Sequence, residues 1–306
     1  MIVVRISGGI GNQLFQYAMS RALSLRNGND LKLDISFYDM GIEKDRPFKL
    51  SSLNISNLEV ATNEDFKKIG VPSPEGADLS SMLTRKFYRE AGSFLALEKR
   101  RMILEKTFSF LPEILDIKHD CYLVGVWQSE KYFMDYAEEI RKEFELKAPL
   151  SAEAETIKKE ITSTNAISLH VRRGDQVHNP HLFAKHGVLG DGYYKQAVDY
   201  ILGNSRSDQH LGSPRIFIFS DEIEWCKENL KFDIPATYVQ GKGIADHEEM
   251  ALMSLCEHNI IAKSSFSWWG AWLNKNPGKI VVAPAERFGS RDKSAPDLIP
   301  DFWVKI

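Results

Sequence analysis

Cysteine is scarce in this chain: three in 306 residues, Cys121, Cys226 and Cys256. An odd count without metal-ligand spacing argues against a disulfide-stapled secreted scaffold and fits a reducing compartment. Long apolar runs are missing too. No stretch approaches the ~18–20 residues that span a bilayer, and Met1-Ile2-Val3-Val4-Arg5 is too short for a signal-peptide core. Weak association with a membrane surface is left open. Neither sign of charge dominates: 39 Lys and Arg stand against 42 Asp and Glu, a net −3, so no nucleic-acid partner is expected. Asp-x-Asp and His-Glu-x-x-His are both absent, and the loop histidines His178, His181 and His186 come without cysteine, so no metal is expected.

What is present is an ordinary globular composition, 43% hydrophobic and 26% charged, in a chain long enough for about two domains. The most informative stretch is His170-Val171-Arg172-Arg173-Gly174-Asp175. It closes a predicted strand, 166–171. Alternation places Ile167, Leu169 and Val171 on one face and Ser168, His170 and Arg172 on the other. Two positive or potentially positive groups at a strand's carboxyl end point to an anionic ligand, since a guanidinium pairs with phosphate.

Ile2–Ile6 reads as a strand, followed by Ser7-Gly8-Gly9-Ile10-Gly11-Asn12-Gln13 and a helix ending at Asn27-Gly28. A strand over 31–35 carries Asp34. A nicotinamide site on this unit lacks the third glycine of the dinucleotide pattern, because Leu14 stands there. Asn12 and Gln13 instead put amides at the helix start. Residues 36–118 are irregular, with helical patches at 65–69 and 80–88. A strand over 121–127 leads into Gln128-Ser129-Glu130, polar groups at a strand end, and a helix over 131–146. The best boundary is Lys147–Ser151, followed by a polar helix to about residue 162.

The second half alternates: strands at 166–171, 215–219, 236–240, 259–263 and 279–283, helices at 192–202, 222–230, 248–257 and 268–273. This predicts a parallel sheet covered on both faces. His170–Asp175, Ser220-Asp221 and Ser264-Ser265-Phe266-Ser267 fall on one rim of it. Asp221 with Glu224, and Asp246 with Glu249, have the spacing of capping boxes. Serines at a helix start plus Arg172 make a metal-free diphosphate site. Phe266 offers a stacking face, and Glu249 an acceptor for guanine or ribose donors. The spacing of Trp268, Trp269 and Trp272 favours core packing over sugar stacking.

Gly8–Ala18, Val126–Phe133, His170–Asp175, Phe219–Asp221 and Leu252–Trp272 together resemble the bacterial α-1,2-fucosyltransferases, glycosyltransferase family 11, in order and from end to end. The resemblance implies an α/β fold of the GT-B type: two Rossmann-like domains facing across a cleft, residues 1–150 on the acceptor side and 151–306 binding GDP-fucose. It implies inverting transfer of L-fucose to the 2-hydroxyl of a terminal galactose on a glycan, as in surface polysaccharide assembly, in the bacterial cytoplasm or at its inner membrane surface. GDP-fucose is a co-substrate; no cofactor and no metal is implied.

Arg172 matches the family arginine on the diphosphate. Asn12, His170, Ser220, Asp221 and Ser264, Ser265, Phe266 and Ser267 match donor-site positions. Glu249 stands where relatives usually have aspartate. Gln13, Gln128 and Ser129 are assigned to the acceptor side. Asp175 is the first candidate for a general base, with Asp191, Glu130 and the phosphate itself open. Rival readings are another fucosyl linkage, including α-1,6 or protein O-linked, a nicotinamide-dependent oxidoreductase on Gly9–Asp34, and a non-catalytic carbohydrate binder.

Overall fold

The computed structural model describes residues 1–39, 46–56, 58–74, 96–174, 177, 187–205, 212–239, 243–285 and 295–306. The chain forms two compact units. The first comprises Met1–Lys147 and Ser294–Leu298, the second Ala148–Lys293 and Ile299–Ile306.

The first unit is built on four parallel strands: β1 (Ile2–Arg5), β2 (Leu31–Asp34), β3 (Met102–Leu104) and β4 (Cys121–Val124), in the order β2-β1-β4-β3. Helix α1 (Ile10–Asn27) starts straight after the glycine turn and stops at Gly28, whose φ of 65° only glycine adopts easily. On one sheet face Met1, Val3 and Tyr122 pack with Phe66 and Ile69 of α2 (Asn63–Ile69). α2 begins with a capping box: Thr62 accepts from the Asp65 N–H, and Asp65 accepts from the Thr62 N–H. β3 was not foreseen; three residues are too few to display a period. The patch at 80–88 lies outside the described residues.

The helix expected over 131–146 is broken. Two 3₁₀ turns, Glu130–Tyr132 and Met134–Tyr136, precede a short α3 (Ala137–Glu143). Phe133 explains the break. Its backbone leaves the helical region at φ −135°, and its ring is fully buried, 6.3 Å from Phe15 of α1.

The second unit opens with α4 (Ala152–Thr162), capped by Ser151. Its sheet contains β5 (Asn165–Val171), β6 (Pro214–Ser220), β7 (Ala236–Tyr238), β8 (His258–Ile260), β9 (Val281–Ala283) and β10 (Val304–Lys305). All are parallel, in the order β10-β9-β8-β5-β6-β7. Every residue of β5 is buried, as a central strand requires. Ile167, Leu169 and Val171 share one cluster with Ile216, Ile218 and Tyr194, Val198 and Ile201 of α5 (Asp191–Asn204). Three further helices follow: α6 (Ile223–Asn229), α7 (Asp246–Ser254) and α8 (Ser265–Leu273).

Trp268, Trp269 and Trp272 of α8 are almost wholly buried and pack on one another at 4.9–6.2 Å, with Trp303 5.4 Å from Trp268. They are core, not a sugar platform. α7 and α8 touch closely at Gly270, where a Cβ would come within 2.9 Å of Met253 Cβ. Buried Asn274 donates to the Cys256 carbonyl and to Asn259 Oδ1, both at 2.7 Å, fastening the end of α8 to β8. Among the described residues no helix is long and apolar enough to cross a membrane. The three cysteines are buried and unpaired.

Candidate active site

In the second unit the chain runs from β5 outward to β6 and β7, then returns to the other side of β5 as β8. The crevice between the carboxyl ends of β5 and β8 is therefore the topological switch point, where open α/β sheets bind ligands. His170 and Arg172 lie at the end of β5. Ser264, Ser265 and Phe266 follow β8 and open α8, whose first-turn N–H groups carry the positive end of the helix dipole. The His170 and Phe266 rings come within 5.5 Å of each other. Two clusters far apart in sequence thus meet at one point.

His170 is not the second positive charge that its sequence position suggests. Burial, and then the charge of Arg172, hold its pKa down to about 3, so the imidazole is neutral. Its Nδ1 is buried without a hydrogen-bond partner. A neutral ring carries one donor and one acceptor nitrogen, and leaves Arg172 as the cation at this strand end.

Ser267 is buried; its hydroxyl donates to the Ser264 carbonyl at 3.2 Å and accepts from the Ala262 N–H at 3.3 Å, bracing the turn. Ser264 caps α8 by accepting from the Phe266 N–H. Ser220 accepts from the Glu222 N–H at 2.9 Å. Asp221 accepts from the Arg173 N–H at 2.9 Å but is itself exposed, so part of its carboxylate stays accessible.

Neither expected capping box forms. α6 starts at Ile223 with Glu222 before it, and Asp221 is occupied by Arg173. At α7 it is Glu248, one residue earlier than expected, that reaches back to the Ala245 N–H at 2.9 Å and also takes the Ser151 N–H at 2.6 Å. This releases Glu249. Burial, Asp246 and Asp221 push its carboxyl up to about 8. A poised, half-buried carboxyl near Asp221 is a candidate for reading the donor groups of a base.

Sequence reasoning missed how Arg173 is held. Its guanidinium stacks on Trp225 at 3.8 Å and pairs with Glu222 at 3.2 Å. Neither partner is signalled by local spacing. Asp175 lies outside the described residues, as do His178, His181 and His186. Asp191 pairs with Lys195 at 2.9 Å, which lowers its pKa and weakens it as a base.

In the first unit β1 lies between β2 and β4, so the ends of β1 and β4 form the corresponding rim. Gln128, after β4, donates to Asn12 Oδ1 at 2.9 Å. Gln13 is fully buried, donates to the carbonyls of Gly8 and Pro47, and accepts from the Lys49 N–H, so it staples the glycine turn. Ser129 is likewise buried and accepts from the Lys131 N–H. Among the described residues no three His, Cys, Asp or Glu side chains converge as a metal site.

Two Rossmann-like units, one with a guanidinium, a neutral imidazole and a helix start at its switch point, define a nucleotide-sugar glycosyltransferase of the GT-B type. The chain belongs to glycosyl transferase family 11, whose model matches residues 99–303. An Escherichia coli alpha-1,2-colitosyltransferase is 31% identical over 100% of this chain and 99% of its own. The galactoside 2-alpha-L-fucosyltransferase SEC1 of Bos taurus is 30% identical over 60% of this chain and 51% of its own. Among solved structures, NodZ alpha-1,6-fucosyltransferase soaked with GDP-fucose shares the fold, with a TM-score of 0.50 at 14% identity over 89% of this chain and 92% of that one.

Proposed function

We propose that the chain is an inverting α-1,2-fucosyltransferase that moves L-fucose from GDP-β-L-fucose to the 2-hydroxyl of a terminal galactose. The observation that carries this is the convergence of Arg172, His170 and the α8 start at the switch point of a family 11 chain. The bovine relative supports the sugar and the linkage. In the reaction the acceptor oxygen bonds to the anomeric carbon as the bond to the GDP oxygen breaks. The hydroxyl proton passes to a base, and GDP leaves with the electron pair. Arg172 and the first turn of α8 stabilise the charge that builds on the leaving phosphate. Ser264, Ser265 and Phe266 line the donor, Asp221 and Glu249 take its base and ribose donors, and Asn12 with Gln128 serve from the first unit. Asp175 is assigned the base. Action in a bacterial cytoplasm or at the inner membrane face, on surface polysaccharide, belongs to the same reading.

A second reading is favoured by the full-length E. coli relative: the donor sugar is colitose, the 3-deoxy analogue of fucose. Purified protein given GDP-fucose or GDP-colitose with a panel of terminal galactosides, and product linkages assigned by NMR, decides between them. GDP release without glycoside formation, or a product not linked at the galactose 2-position, would overturn the proposal.

A further inference from the structure

We infer that Glu105, immediately after β3, is a positioning residue for transfer: its carboxylate holds the turn after β4 in the conformation that sets Gln128 against Asn12. The inference rests on the reading that Asn12 and Gln128 serve the reaction. Trp127 in that turn has φ 54°, and among the described residues no other non-glycine has positive φ. A bulky side chain is strained there and persists only where its surroundings compensate. The compensation does not come from the polar end of the indole, whose N–H is buried without a partner.

It comes from Glu105. Oε2 accepts from the Val126 N–H at 2.6 Å and the Trp127 N–H at 3.0 Å, and Oε1 stands 3.1 Å from the same Trp127 nitrogen. Successive N–H groups converging on an anion form a nest, and here the chain supplies its own anion. Gly125 makes room for it: a Cβ there would come within 2.5 Å of Glu105 Cβ and 2.8 Å of Oε2. The Gly125 carbonyl accepts in turn from Gln16 of α1 at 3.0 Å. With the peptide groups before and at Trp127 fixed, the next side chain, Gln128, lands on Asn12 at 2.9 Å. Release of the carboxylate lets Trp127 relax to negative φ, which redirects Gln128.

The test is a double-mutant cycle on the full-length enzyme. Glu105→Gln keeps the shape but loses the charge and sets an amino group against an N–H. Its acceptor kcat/KM should fall about 10- to 100-fold, the weight of hydrogen bonds to a charged group, with GDP affinity unchanged. Gln128→Ala should lose a similar factor, and the double variant should be no worse than Gln128→Ala alone. Losses that multiply would show Glu105 and Gln128 acting independently and overturn the inference. A loss in Glu105→Gln beside a fully active Gln128→Ala would overturn it too, and would remove Gln128 from the reaction. Glu105→Asp, a methylene short but still charged, should fall between and serves if the Gln variant does not fold. Amide hydrogen exchange at Val126 and Trp127 reads the turn whatever the donor: faster exchange in the variant is expected, and unchanged exchange sinks the inference.

Discussion

The guanidinium carbon of Arg173 lies 3.8 Å from the centroid of the Trp225 ring, and its Nε lies 3.2 Å from Glu222 Oε2. Its own N–H is held by Asp221. The second arginine of the His170–Asp175 segment is thus tied to its own unit, and the proposed phosphate contact falls to Arg172.

Arg172→Lys should therefore lose about 10²–10³ in kcat, because an ammonium cannot reproduce a bidentate fork at the leaving phosphate. Arg173→Lys should stay within about tenfold of wild type and lose roughly 1 kcal/mol of stability as its stacking on Trp225 weakens. Steady-state kinetics with urea unfolding reads both. Equal losses of turnover would overturn the division of labour.

Two shifted groups, Glu249 and His170, predict opposite slopes of stability with pH. Glu249 titrates near 8 in the folded chain against an ordinary 4.5. The fold therefore keeps a proton that the unfolded chain has released. That contribution is full below 4.5 and is lost as pH rises to about 8. His170 titrates near 3 against an ordinary 6.5, so its contribution is full above 6.5 and is lost as pH falls toward 3. Unfolding free energy should respond less to alkali in Glu249→Gln and less to acid in His170→Gln. Curves parallel to wild type would show that these environments are misassigned.

The same carboxyl makes a binding prediction. Guanine offers N–H donors, which favour ionised Glu249, so GDP binding near neutral pH should release a proton. Calorimetry in buffers of different ionisation enthalpy would detect it. Heat independent of buffer would remove Glu249 from the base contact.

Activity should survive chelation, since the leaving charge is assigned to Arg172 and helix-end amides. Modest stimulation by magnesium through product release is compatible with that. Complete loss in EDTA, reversed by magnesium, is the contrary result.

GDP affinity should fall sharply in Arg172→Ala and little in Asn12→Ala, while turnover falls in both. A residue of the other unit weighs on the transition state more than on ground-state binding. Equal losses of GDP affinity would show that both units hold the nucleotide from the start.

The sequence showed most of the fold because the second half obeys simple periods. The apolar face of β5 and the polar rim at its end follow from alternation alone. α1 was marked by the glycine turn before it and Asn27-Gly28 after it, and α5 and α7 by their places between strands. β3 and β10 escaped because two or three residues carry no period. Gln13, Ser129 and Ser267 show where a local pattern stops: polar residues at a helix start look alike whether they face a ligand or tie down the chain's own N–H and carbonyl groups. The charge on His170 depended on burial, which no local pattern reports. Glu105 was invisible because its partner turn lies at 125–128, beyond any local motif, and only the pairing of β3 with β4 brings them together.

The path of the backbone has a practical consequence. After β9 the chain enters the first unit at Ser294–Leu298, where Asp297 accepts from the Phe110 N–H and pairs with Lys131, and then goes back to lay β10 beside β9. The two units are laced rather than strung in series. A protease that cuts near Pro149 should leave a nicked molecule that migrates as one species until denatured. The first half expressed alone would lack the Ser294–Leu298 segment, and the second half alone would carry it without Phe110 and Lys131, so work on either half calls for co-expression of both pieces rather than truncation.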